Sequence, residues 1–167
     1  TAGGDRILVG DLEGDGDLDI VTTGWQDQGR VKLLKNDGAA NPSFAFETIY
    51  GPASFNDTDI TQGRSYVADI DADGDLDIIT TSWYGDKIIW HENSGSSSPS
   101  WTATTIDSNA DGAQDVVIVD IDHDGDLDII GASSNDDTIA WYENDGEANP
   151  SFSKTTIATS ADSPFKL

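Results

Sequence analysis

DLEGDGDLD, residues Asp11–Asp19, recurs twice in this chain, as DIDADGDLD at Asp69–Asp77 and as DIDHDGDLD at Asp120–Asp128. Each copy puts acids at loop positions 1, 3, 5, 7 and 9 and a glycine at position 6, where the backbone must turn sharply. Carboxylates at that density repel one another unless a cation neutralises them, and no Lys or Arg lies inside any of the loops. Acidic side chains at positions 1, 3, 5 and 9 offer hard oxygen ligands, so the pattern predicts one calcium ion per loop, three in all.

The EF-hand shares the first half of this pattern but needs a bidentate Glu at position 12 and a helix on each side. Position 12 here is Thr22, Thr80 or Gly131. The residues leaving the loops, Leu18-Asp19-Ile20-Val21-Thr22-Thr23 and its counterparts from Leu76 and Leu127, are β-branched or apolar runs that read as strands. The loops therefore join strand to strand.

Self-similarity extends well past the loops. Asn36, Asn93 and Asn144 stand 25, 24 and 24 residues after the first loop Asp, each opening a turn signature: Asn36-Asp37-Gly38, Asn93-Ser94-Gly95 or Asn144-Asp145-Gly146. Six residues past each Gly comes Phe44, Trp101 or Phe152, and each segment closes on Thr48-Ile49, Thr105-Ile106 or Thr156-Ile157. Every unit thus contains four short strands, the first being Ile7–Gly10, Tyr66–Ala68 or Val116–Val119. Four antiparallel strands repeating every 51 to 58 residues predict an all-β fold, a β-propeller with three blades in this chain. A β-sandwich would not require so strict a repeat. The expected boundaries are about 4–50, 64–107 and 113–159, with a tail at 160–167 starting or completing another blade.

Composition narrows the function classes. The net charge is −24, from 32 acidic and 8 basic residues, which excludes nucleic acid and anionic membrane surfaces as partners. Fifteen of the acids lie in the three loops, so most of the acidity is localised. There is no cysteine, hence no thiolate site or Cys nucleophile, and no apolar run long enough to insert in a membrane. Calcium is abundant outside cells, which predicts a secreted or cell-surface protein.

The D-x-D-x-D-G-x-L-D loop, followed by Ile-Ile or Ile-Val and later by the Asn-x-Gly turn, resembles the FG-GAP and VCBS-type repeats of extracellular proteins and of the integrin α-subunit propeller. The resemblance implies that side chains of Asp11, Glu13, Asp15 and Asp19 hold one ion. Asp69, Asp71, Asp73 and Asp77 would hold a second, and Asp120, Asp122, Asp124 and Asp128 a third. It implies a backbone-carbonyl ligand from Asp17, Asp75 and Asp126. Glu13 departs from the Asp expected at position 3, and the Phe-Gly and Gly-Ala-Pro elements of the integrin version are missing.

Three blades do not close a ring. Either a homodimer or other self-assembly supplies the rest, or the chain is the remainder of a longer propeller. Ala161-Asp162 aligns with Ala110-Asp111, which puts Phe165-Lys166-Leu167 where a fourth blade's first strand would begin.

No nucleophile motif, zinc motif or phosphate loop is present, and His91 and His123 read as structural, so the chain is expected not to be an enzyme. Trp25 and Trp83 occupy equivalent positions and either pack between blades or stack on a sugar. Trp90 and Trp141 read as core. Asn56-Asp57-Thr58 fits a glycosylation sequon in the longer connection after the first blade. The function expected is a non-catalytic extracellular module for protein binding, adhesion or self-assembly. The alternative is a calcium-dependent lectin with a glycan ligand.

Overall fold

The computed structural model describes residues 6–23, 30–51 and 64–164. Twelve strands form three separate four-stranded antiparallel sheets, each in simple chain order. Blade 1 holds β1 (Arg6–Gly10), β2 (Asp19–Thr23), β3 (Val31–Asn36) and β4 (Phe44–Tyr50). Blade 2 holds β5 (Ser65–Ala68), β6 (Asp77–Ser82), β7 (Lys87–Asn93) and β8 (Trp101–Asp107). Blade 3 holds β9 (Ala113–Val119), β10 (Asp128–Ser133), β11 (Thr138–Asn144) and β12 (Phe152–Ala158). The first strand of blade 3 starts three residues before the Val116 expected from sequence, and a register shift opposite Ala132/Ser133 accommodates the extension. These are β-propeller blades, and no helix occurs among the described residues. Trp25, the Asn56 sequon and Phe165–Leu167 lie outside the described residues.

The repeat persists in the register. Gly10 pairs with Asp19, Ala68 with Asp77 and Val119 with Asp128, so each acidic loop is the connection between a blade's first two strands. A bulge between the third and fourth strands recurs at Val31/Lys32, Ile88/Ile89 and Ile139/Ala140. The fourth strands are mostly exposed, and those of blades 2 and 3 are rich in Thr, with Ser and Lys in β12, side chains suited to an outer edge that must not pair with another sheet.

The core lies between blades. Leu12, Val21, Val31 and Leu33 of blade 1 pack on Ile78 and Ile89 of blade 2. Ile70, Ile79, Ile88 and Trp90 of blade 2 pack on Val116, Ile129, Ala140 and Tyr142 of blade 3. Blade 2 is covered on both faces, so every residue of β6 is buried, whereas β2 of the terminal blade alternates buried and half-buried positions.

One pair of equivalent positions is filled differently at the two interfaces. Between blades 1 and 2, His91 stacks at a tilt on Tyr50, 4.8 Å between centroids, and its Nε2 lies 2.9 Å from Thr80 Oγ1. Between blades 2 and 3, Tyr142 takes the place of His91, and its hydroxyl donates to Asp107 at 2.7 Å. Gly131 replaces Thr80 there; a Cβ would strike the Tyr142 ring and Ile88. Lys154 completes that cluster, with Nζ 2.7 Å from Asp107 Oδ2 and over the Tyr142 ring. Burial raises the Asp107 carboxyl, but the hydrogen bonds from Lys154 and Tyr142 outweigh it and hold the group below its ordinary range.

Candidate metal-binding loops

Each loop is organised by its own carboxylates receiving backbone N–H groups. In the second loop Asp69 accepts from Gly74 N at 3.1 Å, Asp71 from Asp73 N at 3.3 Å and Asp73 from Asp75 N at 2.9 Å. The third repeats this: Asp120 accepts from His123 N and Gly125 N, Asp122 from Asp124 N and Asp124 from Asp126 N. In the first, Asp11 accepts from Asp15 N and Gly16 N, and Asp15 from Asp17 N. The carboxylates at positions 1 and 5 thus hold the turn of every loop from within it.

Position 9 does a different job from positions 1, 3 and 5. Asp19, Asp77 and Asp128 are buried, and both oxygens of each accept a backbone N–H. Asp77 takes Ile70 N at 3.2 Å and Asn93 N at 2.8 Å; Asp128 takes Ile121 N at 3.3 Å and Asn144 N at 2.8 Å. This carboxylate closes the loop and ties it to the end of the third strand. Burial pushes the Asp77 carboxyl up to about 6. Each oxygen keeps a second lone pair, so the bonds do not remove these groups from the ligand set.

Position 7 also has a structural task. The carboxylates of Asp17, Asp75 and Asp126 fill the space where Gly38, Gly95 and Gly146 would carry a Cβ, and those glycines have φ of +64°, +65° and +67°. The glycine of each Asn-x-Gly turn therefore meets two demands: a left-handed backbone and room for an acid from the loop. With their side chains directed at the turn, Asp17, Asp75 and Asp126 have only the backbone to offer the loop interior, which fits the carbonyl role the resemblance implies.

Asp69, Asp71 and Asp73 bring one carboxylate oxygen each to within 4.8 Å of one another, as do Asp120, Asp122 and Asp124. Asp69 Oδ1 is buried without a hydrogen-bond partner. Desolvation and then the neighbouring Asp73 charge raise the Asp71 carboxyl; desolvation, with Asp124, Asp128 and Asp120, raises Asp122. Crowded hard oxygens with an unpaired buried acceptor suit a divalent cation of the calcium type.

The first loop is not brought together in this way. Glu13 turns to Lys35 Nζ at 3.4 Å, and Lys35 also reaches Glu47 at 2.9 Å. Burial works against the Lys35 ammonium, but Glu47 and Glu13 raise its pKa overall. Glu92 and Glu143 occupy the Lys35 position in the other blades. The sequence marks Glu13 as a departure at position 3 but does not reveal this cation, because Lys35 is 22 residues away in the chain and becomes adjacent only when β3 pairs with β2.

The repeated Asn, read from sequence as a turn residue, is an inter-blade tie. Asn93 Nδ2 donates to Leu76 O in its own loop and to Leu12 O in the loop of blade 1; Asn144 Nδ2 donates to Leu127 O and to Ile70 O in the loop of blade 2. Its Oδ1 accepts the Gly N–H of the following turn. The signal was its fixed distance from the first loop Asp. Trp83 packs across the blade 2–blade 3 junction, with Nε1 donating to Ser134 Oγ at 3.0 Å. His123 is exposed in the third loop with φ of +67°.

Meandering four-stranded blades, each carrying one acidic loop between its first two strands, define a β-propeller built of acidic-loop repeats. The chain belongs to the FG-GAP-like repeat family, whose model matches residues 11–80 and 69–131. No curated protein matches it. Among solved structures it is similar to a lectin of Agrocybe aegerita, described as specifically recognising non-reducing terminal N-acetylglucosamine, with a TM-score of 0.61 and 22% identity over 93% of this chain. The match spans 39% of that lectin's length, and at this identity the likeness is one of fold.

Proposed function

We propose that this chain is a calcium-stabilised β-propeller module that works outside the cell in protein binding or adhesion and carries out no catalysis. The observation that carries the reading is the convergence of Asp69, Asp71 and Asp73, and of Asp120, Asp122 and Asp124, around a space lined by oxygen, with Asp69 Oδ1 buried and unpartnered. Calcium would supply positive charge where carboxylates crowd, held by positions 1, 3, 5 and 9 and the position 7 carbonyl of each loop. Because the Asn ties join the first and second loops to the blade that follows each, loss of the ion there would loosen both loop and interface. FG-GAP-like repeats recur in extracellular proteins, and millimolar calcium there would saturate even weak loops.

Calcium titration by calorimetry, with thermal melting in calcium and in EGTA, tests this. The expected result is saturable binding and a melting temperature many degrees higher in calcium. Identical melts, with metal-free protein verified by elemental analysis, would refute it.

A second reading, a carbohydrate-binding module, is favoured by one surface feature. Tyr84 is exposed and meets Trp83 edge-on at 4.6 Å on the β6–β7 turn, an aromatic platform of the kind that sugars stack on. A glycan array in calcium separates the readings: hits lost on Tyr84→Ala support the lectin, and no hits support the protein-binding module.

A further inference from the structure

Blade 1 departs from the other two at three positions that meet in space. Glu13 stands where the second and third loops have Asp71 and Asp122, and Lys35 stands where blades 2 and 3 have Glu92 and Glu143. The third is Glu47, which faces Leu33 across the β3–β4 ladder as Thr104 faces Trp90 and Thr155 faces Trp141. Lys35 Nζ lies 3.4 Å from Glu13 Oε1 and 2.9 Å from Glu47 Oε2, so its ammonium is held from two sides. The Lys35 and Glu13 side chains are only 18% and 12% exposed, and solvent ions screen such a pair less than one at the surface. Lys35 also shares with Val31 and Leu33 the face of β3 that meets blade 2, so the pair forms inside the arc. In blade 2 the equivalent Glu92 instead adds its negative charge to the field at Asp71.

The backbone frame of the first loop is nevertheless that of the others. Gly16 N donates to Asp11 at 2.9 Å, as Gly74 N does to Asp69 at 3.1 Å and Gly125 N to Asp120 at 3.2 Å. Asp19 closes the loop by accepting Leu12 N and Asn36 N, as Asp77 and Asp128 do in theirs. One turn geometry is thus kept under two charge balances. In the first loop a resident cation on β3 opposes the carboxylate repulsion; in the second and third the residue at that place is another acid.

We infer that Lys35 serves the first loop as a tethered counter-ion, so that this loop keeps its fold without a metal ion while the second and third depend on calcium. Asn93 holds the Leu12 carbonyl of the first loop, and Asn144 holds the Ile70 carbonyl of the second. Calcium removal therefore acts on the junction of blades 2 and 3 and spares that of blades 1 and 2. It rests on the calcium reading of the second and third loops and narrows that reading at the first.

The test is amide hydrogen exchange by NMR at Gly16, Gly74 and Gly125, in millimolar calcium and in EGTA, on the wild-type chain, Lys35→Gln and Lys35→Arg. In the wild type, EGTA is expected to speed exchange at Gly74 and Gly125 about tenfold or more and to leave Gly16 within about twofold. Lys35→Gln removes the charge, and Gly16 then joins the other two in responding to EGTA. Lys35→Arg keeps the charge and keeps Gly16 protected. Circular dichroism in calcium verifies that both variants fold. A wild-type Gly16 that responds like Gly74, or one that stays protected in Lys35→Gln, would overturn the role of Lys35 and leave the calcium reading standing. No response at any of the three glycines would overturn the calcium reading and the role of Lys35 with it.

Discussion

Asn93 Nδ2 donates to the backbone carbonyl of Leu12 at 2.9 Å across 81 residues of chain, joining the third strand of blade 2 to the acidic loop of blade 1. The bond is buried, and the same amide holds Leu76 O in its own loop.

Replacing Asn93 by Ala leaves buried carbonyls unpaired, which is expected to cost about 2 kcal/mol of folding stability. Asn36→Ala breaks only exposed bonds within blade 1, from Nδ2 to Leu18 O and from Gly38 N to Oδ1, and is expected to cost less than about 1 kcal/mol. Urea denaturation of the two variants measures the difference. Equal losses would show that the inter-blade bond contributes nothing beyond the local turn.

The Glu13–Lys35 ion pair makes the first loop the odd one. If the loops hold calcium, the first is expected to be the weakest of the three, because its position 3 ligand is engaged and a fixed positive charge stands beside it. Lys35→Glu restores the acid found in the other blades and is expected to strengthen that site about tenfold. Calorimetry resolves two classes of site in the wild type if this is right; three equal sites would contradict it.

His91 supplies a pH dependence. Burial lowers its pKa to about 3, and its Nδ1 has no hydrogen-bond partner. Between pH 6.5 and 3 the unfolded chain binds a proton at His91 that the folded chain does not, so stability from this residue is complete above about pH 6.5 and falls as pH drops. At pH 5 the loss is about 2 kcal/mol. His91→Leu, the residue blade 1 uses at Leu34, should remove that component. The variant and wild type are compared by chemical denaturation at pH 7.5 and pH 5; a stability gap that does not change with pH would show that His91 is protonated in the fold.

Gly95→Ala meets two obstacles, a left-handed φ of +65° and the Asp75 carboxylate in the space its Cβ would take. The expected loss is about 2 kcal/mol, of which about 1 kcal/mol reflects the backbone conformation. In the background of Asp75→Ala the same substitution should cost only the backbone part. A cost independent of Asp75 would show that the carboxylate yields freely.

Much of the fold was legible because the chain repeats it. A β-branched run after each acidic loop, an Asn-x-Gly turn at constant distance and an aromatic six residues further on leave little choice but a four-stranded meander, and the sheets follow that order. The clustering of positions 1, 3 and 5 in the second and third loops was legible for the same reason, since it rests on bonds confined to nine residues. Lys35 beside Glu13, the two roles of the turn glycine and the second bond of Asn93 were not legible. Each joins residues that are distant in sequence, and no local pattern says which neighbour a strand or blade will meet.

The amino-acid sequence by itself therefore determined the blade, its loops and their number, because strand period, turn geometry and carboxylate spacing are short-range properties. Only the tertiary structure decided how alike the repeats really are. It drew Glu13 out of one loop, paired His91 with Thr80 in one blade and Tyr142 with Gly131 in the next, and left Ile121 exposed where Leu12 and Ile70 are buried. The physical reason is that burial and ion pairing depend on what packs against a residue. For equivalent residues such as Leu12 and Ile121, that is set by the blade's place in the arc.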